Sequence, residues 1–125
     1  MYLLDTNIFL EILLDQEKKL ICQEFISKNS DKIAISDFSF HSIAVILFRY
    51  KKHLILKEFY TDIIFKIRLL NLPKSAYKSL IDNTSKVELD FDDMYQYSIA
   101  KHFNLEIVTM DTDFEKVSDL KVIFI

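Results

Sequence analysis

The chain has 125 residues, half of them apolar and 28% charged, with a net charge of −3, which is typical of one globular domain with its own core. It contains no glycine, and this excludes the glycine-rich phosphate loops of nucleotide-binding enzymes, whose backbone must approach the ligand closely. A single cysteine, Cys22, excludes a disulfide within the chain and a thiolate zinc site. No apolar run approaches the roughly 20 residues of a membrane span. We therefore expect a cytoplasmic protein that has no membrane contact.

Apolar runs and polar breaks predict strands that alternate with helices. In chain order, we expect a strand at residues 2–5, helices at 7–15 and 18–28, a strand at 32–36, and a helix capped by Asp37 or Ser39 that runs to about Lys52. Helices at 54–70 and 74–82, a short segment at 86–89 and a helix from about Phe91 follow. A strand at 106–109, a helical turn at 111–117 and a strand at 122–125 complete the chain. Because alternating strands and helices pair in parallel, residues 1–125 are predicted to form one three-layer α/β/α sandwich with four or five parallel strands.

Three of the predicted strands end on an aspartate, at Asp5, Asp37 and Asp111. The carboxyl ends of parallel strands open onto one crevice, so we expect these carboxylates at one edge of the sheet. Like charges at short range repel each other, and they stay ionised together only if a cation lies among them. Because oxygen ligands suit hard divalent ions, the pattern predicts a metal-dependent enzyme that uses Mg²⁺ or Mn²⁺.

Two more aspartates are candidates for the same edge. Asp93 lies in the first turn of the helix that begins near Phe91, where the helix dipole favours a carboxylate, and Asp113 follows Asp111 in the next loop. Each of these residues can also serve as an ordinary cap, as can Asp5, since aspartate commonly opens a helix. The metal-site hypothesis depends on their occurring together.

Three segments of the chain resemble the PIN domain family, and in particular its small single-domain branch, which includes VapC-like ribonuclease toxins. They are YLLDTNIFLEILL at the N-terminus, FDDMYQYSIAKHF in the last third, and EIVTMDTDFEKV before the last strand. The resemblance extends over the whole chain in the same order. It implies that Asp5, Asp93 and Asp111 are the catalytic and metal-binding acids, that Asp113 is a further metal ligand, and that Thr109 positions a neighbouring acid or a water of the metal.

The sequence departs from the PIN pattern at one position. Members of the family usually carry a glutamate early in the helix after the second strand, and here that position is Ser42, with His41 beside it. Asp37 at the end of the second strand is one candidate for the missing metal ligand, and His41 is another. Ser42 and Asn7 are then supporting residues of the site. The loss of one acid weakens the coordination of an ion, so metal affinity and activity are the properties that this departure affects.

The leading hypothesis is a divalent-metal-dependent endoribonuclease. Between residues 44 and 80, eight Lys or Arg and two acids give a local charge of +6, which fits contacts to a phosphodiester backbone, although Lys-rich helix surfaces are also common. The resemblance further implies a homodimer and an antitoxin partner. The apolar runs in residues 43–70 are consistent with self-association, or with a large core under a small sheet.

Two other functions remain open at this stage. The missing glutamate motivates a catalytically silent PIN-like module that binds RNA or a protein. The other is a phosphatase or phosphotransferase that uses Asp5 as its nucleophile. Such enzymes usually have a second aspartate two positions later, and Asn7 at that position argues against this function.

Overall fold

The structure is a computed structural model that describes residues 1–125, and at its centre lies a parallel sheet of five strands. The strands are β1 (Tyr2–Leu4), β2 (Ile33–Ser36), β3 (Arg68–Leu70), β4 (Glu106–Thr109) and β5 (Val122–Phe124). The helices are α1 (Thr6–Leu13), α2 (Lys19–Lys28), α3 (Asp37–Arg49), α4 (His53–Asp62), α5 (Tyr77–Asn83) and α6 (Phe91–Phe103). The strand order is β3-β2-β1-β4-β5, which puts β1 in the middle. None of the six helices combines the length and apolar character that crossing a bilayer requires.

Helices cover both faces of the sheet, so the predicted three-layer sandwich is confirmed. Successive side chains of a strand point to opposite faces. Leu3 of β1 and Ile107 of β4 therefore pack in one apolar cluster with residues of α5 and α6. Leu4 and Val108 pack in a second cluster with residues of α1, α2, α3 and α4. Burial on both faces explains why the strands read as continuous apolar runs.

The helix predicted at residues 54–70 is wrong in nearly the last half of its length. Helix α4 ends at Asp62, a 3-10 turn follows at Ile64–Lys66, and Arg68–Leu70 forms strand β3, which pairs with β2. The run DIIFKIRLL contains no glycine or proline, and a short apolar run fits a buried helix and a strand equally well by its periodicity. Pairing with the open edge of β2 decides the outcome, and this segment supplies the fifth strand.

The cap of α3 also differs from the prediction. Neither Asp37 nor Ser39 occupies the cap position, because the hydroxyl oxygen of Ser36, the last residue of β2, accepts a hydrogen bond from the Ser39 backbone N–H at 3.0 Å. Asp37 is the first helical residue. Ser36 thus plays the part after β2 that Asp5, the cap of α1, plays after β1.

Turns that would usually use glycine are built from other residues. Asp15, Lys51 and Asn104 adopt left-handed backbone conformations with φ of 54°, 55° and 55°. Asparagine and aspartate tolerate this region because their short side chains bond locally, whereas the left-handed region costs other residues roughly 1–2 kcal/mol. Lys51 follows α3, and the backbone N–H of Lys52 donates to the Leu47 carbonyl at 2.8 Å, so this strained residue closes the end of the helix.

We therefore predict that Lys51→Gly stabilises the protein by about 1 kcal/mol, because glycine reaches the left-handed region without a steric penalty. The measurement is the free energy of unfolding in urea. Lys52→Gly is the matched control, since Lys52 has a φ of −100° and gains nothing from glycine. Equal destabilisation by both substitutions would contradict the assignment of strain to Lys51.

Candidate active site

An acidic cavity opens at the carboxyl end of the sheet. Its volume is about 260 Å³, and it is lined by Asp5, Thr6, Asn7, Leu10, Phe38, Ser42, Asp92, Asp93, Gln96 and Asp111. These residues come from the start of α1, the first turns of α3 and α6, and the loop after β4. The strand order makes this convergence possible, because β1 lies between β2 and β4.

The Asp5 carboxylate is the most buried acid of this cavity, with 6% of its surface exposed. It accepts hydrogen bonds from the Thr6 backbone N–H at 2.8 Å, the Thr109 hydroxyl at 2.7 Å and the Gln96 amide at 3.2 Å. Burial raises the pKa of Asp5, and these three hydrogen bonds act in the opposite direction because they favour the ionised form. The bonds hold the carboxylate in one orientation at the centre of the sheet edge.

Thr109, the last residue of β4, ties the loop after β4 to this carboxylate. Its hydroxyl oxygen also accepts the backbone N–H of Asp111 at 2.9 Å, so one side chain positions two of the acids. Asn7 adds a second tie, since its side-chain oxygen accepts the Met110 backbone N–H at 3.3 Å. These contacts fix the start of the loop that carries Asp111.

Asp93, Asp111 and Asp113 form a group of carboxylates that could hold a cation, with one oxygen of each within 4.8 Å of the others, and Asp90, Asp92 and Asp93 form a second such group. Burial, together with the negative charges of Asp92, Asp5, Asp111 and Asp113, raises the pKa of Asp93 to about 7. A divalent cation among these oxygens would offset the repulsion. The donor set consists of hard oxygen ligands, as Mg²⁺ and Mn²⁺ prefer, so the residues present fit such an ion.

The predicted site residues divide between two cavities. Ser42 lies in the acidic cavity, at the position where a glutamate was expected. Asp37 and His41 line a neighbouring cavity instead. The strand register explains the position of Asp37: Leu3 pairs with Ala34, which sets Asp5 level with Ser36, and Asp37 is one residue further on. The structure therefore gathers Asp5, Asp93, Asp111 and Asp113 without Asp37.

The model of the family described as the PIN domain matches residues 2–120. The chain belongs to the PIN domain family. No curated protein sequence matches it.

Solved structures with the same fold include proteins of toxin–antitoxin systems. A chain of a toxin–antitoxin complex from Klebsiella pneumoniae is 18% identical, with a TM-score of 0.79 over 98% of this chain and 96% of that one. FitAcB from Neisseria gonorrhoeae is 22% identical, with a TM-score of 0.75 over 98% and 96% of the two chains. VapC20 from Mycobacterium tuberculosis, a sarcin–ricin loop cleaving toxin, is 11% identical, with a TM-score of 0.76 over 92% and 93%. At these identities the similarity establishes the shared fold.

Gln96 and Ser39 are buried members of this PIN site that the sequence analysis missed. The Gln96 amide nitrogen donates to Asp5 at 3.2 Å and to the Ser39 hydroxyl at 2.7 Å, and Ser39 shares a hydrogen bond of 2.8 Å with the Thr6 hydroxyl. The Gln96 side-chain oxygen is buried without a partner. A signal existed in the sequence, since Gln96 follows Asp93 by three residues and so lies on the same helix face.

We predict that metal-free protein loses stability as the pH rises, because the pKa of Asp93 is about 7 in the folded state and close to 4 in an unfolded chain. Between roughly pH 4 and pH 7 the folded state holds a proton that the unfolded chain has lost, so stability falls as the pH rises through this window and stays at its lower level above pH 7. Asp93→Asn removes this ionisable group. In EDTA, the variant should melt at a higher temperature than the wild type at pH 8, and the difference should shrink at pH 5.

Asp31→Asn is the matched control, since Asp31 is exposed in a short turn before β2, outside the cavity. If Asp93→Asn and Asp31→Asn shift the melting temperature equally at both pH values, the acids of the cavity do not repel one another as described.

Proposed function

We propose that this PIN domain is a divalent-metal-dependent endoribonuclease that hydrolyses phosphodiester bonds in RNA, and that it is the toxin of a toxin–antitoxin pair. The observation that carries the proposal is the group formed by Asp93, Asp111 and Asp113, whose oxygens lie within 4.8 Å of one another, beside the buried carboxylate of Asp5. Carboxylates held this close to one another and to solvent form a binding site for a cation that can also contact a phosphate.

Asp5, Asp93, Asp111 and Asp113 would hold Mg²⁺ or Mn²⁺. A bound ion of this kind supplies Lewis acidity, which lowers the pKa of a water molecule and stabilises negative charge on the leaving oxygen. The cavity offers no serine–histidine or cysteine–histidine pair among its lining residues, and we propose that water is the nucleophile. Hydrolysis by water needs no covalent intermediate with the protein.

Hydrogen bonds within the protein hold the carboxylates of the site in fixed positions. Thr109 and Gln96 keep the Asp5 carboxylate in place, and Thr109 also anchors the Asp111 backbone. These bonds form before substrate arrives, so the carboxylates need little reorganisation when the reaction occurs. Ser42 offers a hydroxyl that can donate to a phosphate oxygen or to a water molecule, although it cannot replace the charge of a glutamate.

The proposed partners rest on the neighbours and on exposed apolar side chains. Two of the similar structures are described as a toxin–antitoxin complex and as a toxin that cleaves the sarcin–ricin loop. In this chain, Val45 and Phe48 of α3 and Leu54 of α4 are more than half exposed. Apolar surface of this kind supports association with another protein, and we propose an antitoxin and a second copy of the chain as the partners.

The second candidate function is a PIN domain that binds RNA or a protein without cleaving it. Ser42 in the acidic cavity is the observation that favours it, because a hydroxyl replaces the carboxylate that the resemblance implies at that position. Fewer charged ligands weaken the binding of an ion. This candidate requires RNA binding that persists in EDTA and no cleavage with any divalent ion.

We predict that the purified protein cleaves RNA in Mn²⁺ or Mg²⁺ and that Asp111→Asn lowers the rate by at least about a hundredfold, since the site loses one of its acids. The measurement is cleavage of a mixed pool of tRNA and mRNA, with fragments mapped by sequencing. Asp111→Asn protein, purified in the same way, also excludes contaminating nucleases, and Asp31→Asn controls for the exchange of an acid outside the cavity and should keep the wild-type rate.

Cleavage that is lost in EDTA and in Asp111→Asn but kept in Asp31→Asn supports the ribonuclease. Cleavage that persists in Asp111→Asn would contradict the proposed site. An absence of cleavage with folded protein and several RNA classes would favour the silent binding module.

A further inference from the structure

A second cavity with aromatic walls lies beside the acidic cavity. This aromatic cavity has a volume of about 250 Å³ and is lined by Asp37, Phe38, His41, Tyr77, Phe91 and Tyr95. Phe38 lines both cavities, so the two cavities adjoin each other. A ligand group in the aromatic cavity would therefore lie next to a group held by the acids.

The floor of the aromatic cavity is fixed by hydrogen bonds. Tyr95 is buried, and its hydroxyl donates to Asp37 Oδ1 at 2.8 Å and accepts the Leu72 backbone N–H at 3.0 Å. The rings of Phe38 and Tyr77 pack against Tyr95 with centroid distances of 6.1 and 6.3 Å. Phe91, by contrast, is 59% exposed. The cavity thus combines a rigid aromatic floor with a ring that solvent can reach.

Asp37 gives this mainly aromatic cavity a free acceptor, beside the polar side chain of His41. Its Oδ1 already accepts hydrogen bonds from the Tyr95 hydroxyl and, at 2.8 Å, from the Phe38 backbone N–H. Its Oδ2 makes no hydrogen bond within the protein, and an ionised carboxylate only accepts. A ligand that fills the cavity must therefore present a flat apolar face and at least one hydrogen-bond donor on its edge.

We propose that the aromatic cavity binds one base of single-stranded RNA beside the phosphate to be cleaved, and that Asp37 selects guanine. The inference rests on the proposed function in that RNA is taken as the substrate. Unpaired bases stack on aromatic side chains and are read by hydrogen bonds along their edges. Guanine carries two adjacent donors, N1–H and N2–H, on its Watson–Crick edge, so the free Oδ2 of Asp37 can accept from this edge without facing an acceptor. The donors of adenine and cytosine stand next to an acceptor nitrogen, and the N3–H of uracil lies between two acceptor oxygens, which a carboxylate repels.

The same chemistry argues against an apolar side chain of a partner protein in this cavity. Such a group would cover Asp37 Oδ2 without giving it a donor, and a buried acceptor without a partner is costly. Recognition of a base also gives Asp37 a role, although it lies outside the acidic cavity at the same edge of the sheet.

The first test is binding of short oligouridylates that carry one central G, A, C or U, measured by fluorescence anisotropy with Asp111→Asn protein so that the RNA stays intact. We expect the guanine oligonucleotide to bind most tightly. Adding Phe91→Ala should weaken its binding by roughly fivefold or more through lost stacking. Phe65→Ala, which removes an equally large ring that is 77% exposed outside both cavities, should leave the affinity unchanged.

The second test separates base recognition from metal binding. Asp37→Asn replaces the free acceptor by an amide donor, so it should abolish the preference for guanine, a loss of roughly tenfold. In an otherwise wild-type protein, Asp37→Asn should leave the affinity for Mn²⁺, measured by isothermal titration calorimetry, unchanged, while Asp93→Asn lowers it. Circular dichroism verifies that each variant is folded.

Equal binding of the four oligonucleotides, or guanine binding that Phe91→Ala leaves unchanged, would overturn the proposal and leave the cavity to a protein partner. A fall in Mn²⁺ affinity with Asp37→Asn would make Asp37 a metal ligand and overturn it as well. Base-dependent binding without cleavage by the wild type supports this proposal and rejects the ribonuclease. Cleavage by the wild type without base-dependent binding supports the ribonuclease and rejects base recognition in the aromatic cavity.

Discussion

The hydrogen bonds around the Asp5 carboxylate are the constraint on which the rest of the site depends. They join the end of β1, the start of α1, the end of β4 and the first turns of α6, through Thr6, Thr109 and Gln96. A buried carboxylate is tolerated only when it is well hydrogen-bonded, so its position dictates which polar residues surround it. Once β1 lies at the centre of the sheet, this network also determines where Asp93 and Asp111 are held.

This arrangement brings several carboxylates close together, and their mutual repulsion raises the free energy of the ionised site. Burial and four neighbouring acids raise the pKa of Asp93 to about 7, so the metal-free site retains a proton that an isolated aspartate would lose. In the proposed function, a divalent cation and a phosphodiester would relieve this repulsion together, because the cation attracts both the carboxylates and the anionic substrate. Perturbed carboxylates in a cavity are a common feature of functional sites.

Much of this site can be predicted from the sequence, and the exceptions have physical causes. The ends of β1 and β4 predict Asp5 and Asp111 correctly as neighbours, because parallel strands share one carboxyl edge. The same rule predicted Asp37 as a neighbour of these acids. In the structure Ser36 occupies the cap position that is equivalent to Asp5, and Asp37 lies one residue further along, inside helix α3. Gln96 was missed although its spacing puts it on the same helix face as Asp93, because the contact of its amide with Asp5 appears only in the tertiary structure. The strand at Arg68–Leu70 was missed because its apolar run also fits a helix.

The central claim is that the carboxylates at this edge of the sheet hold a divalent cation. The most direct measurement is anomalous X-ray scattering from crystals of the protein grown with Mn²⁺. The account predicts a manganese peak within bonding distance of carboxylate oxygens of Asp93 and Asp111, and no such peak in Asp111→Asn crystals. A fully ordered acidic cavity without a peak at saturating Mn²⁺, or a peak coordinated only by residues elsewhere on the surface, would contradict it.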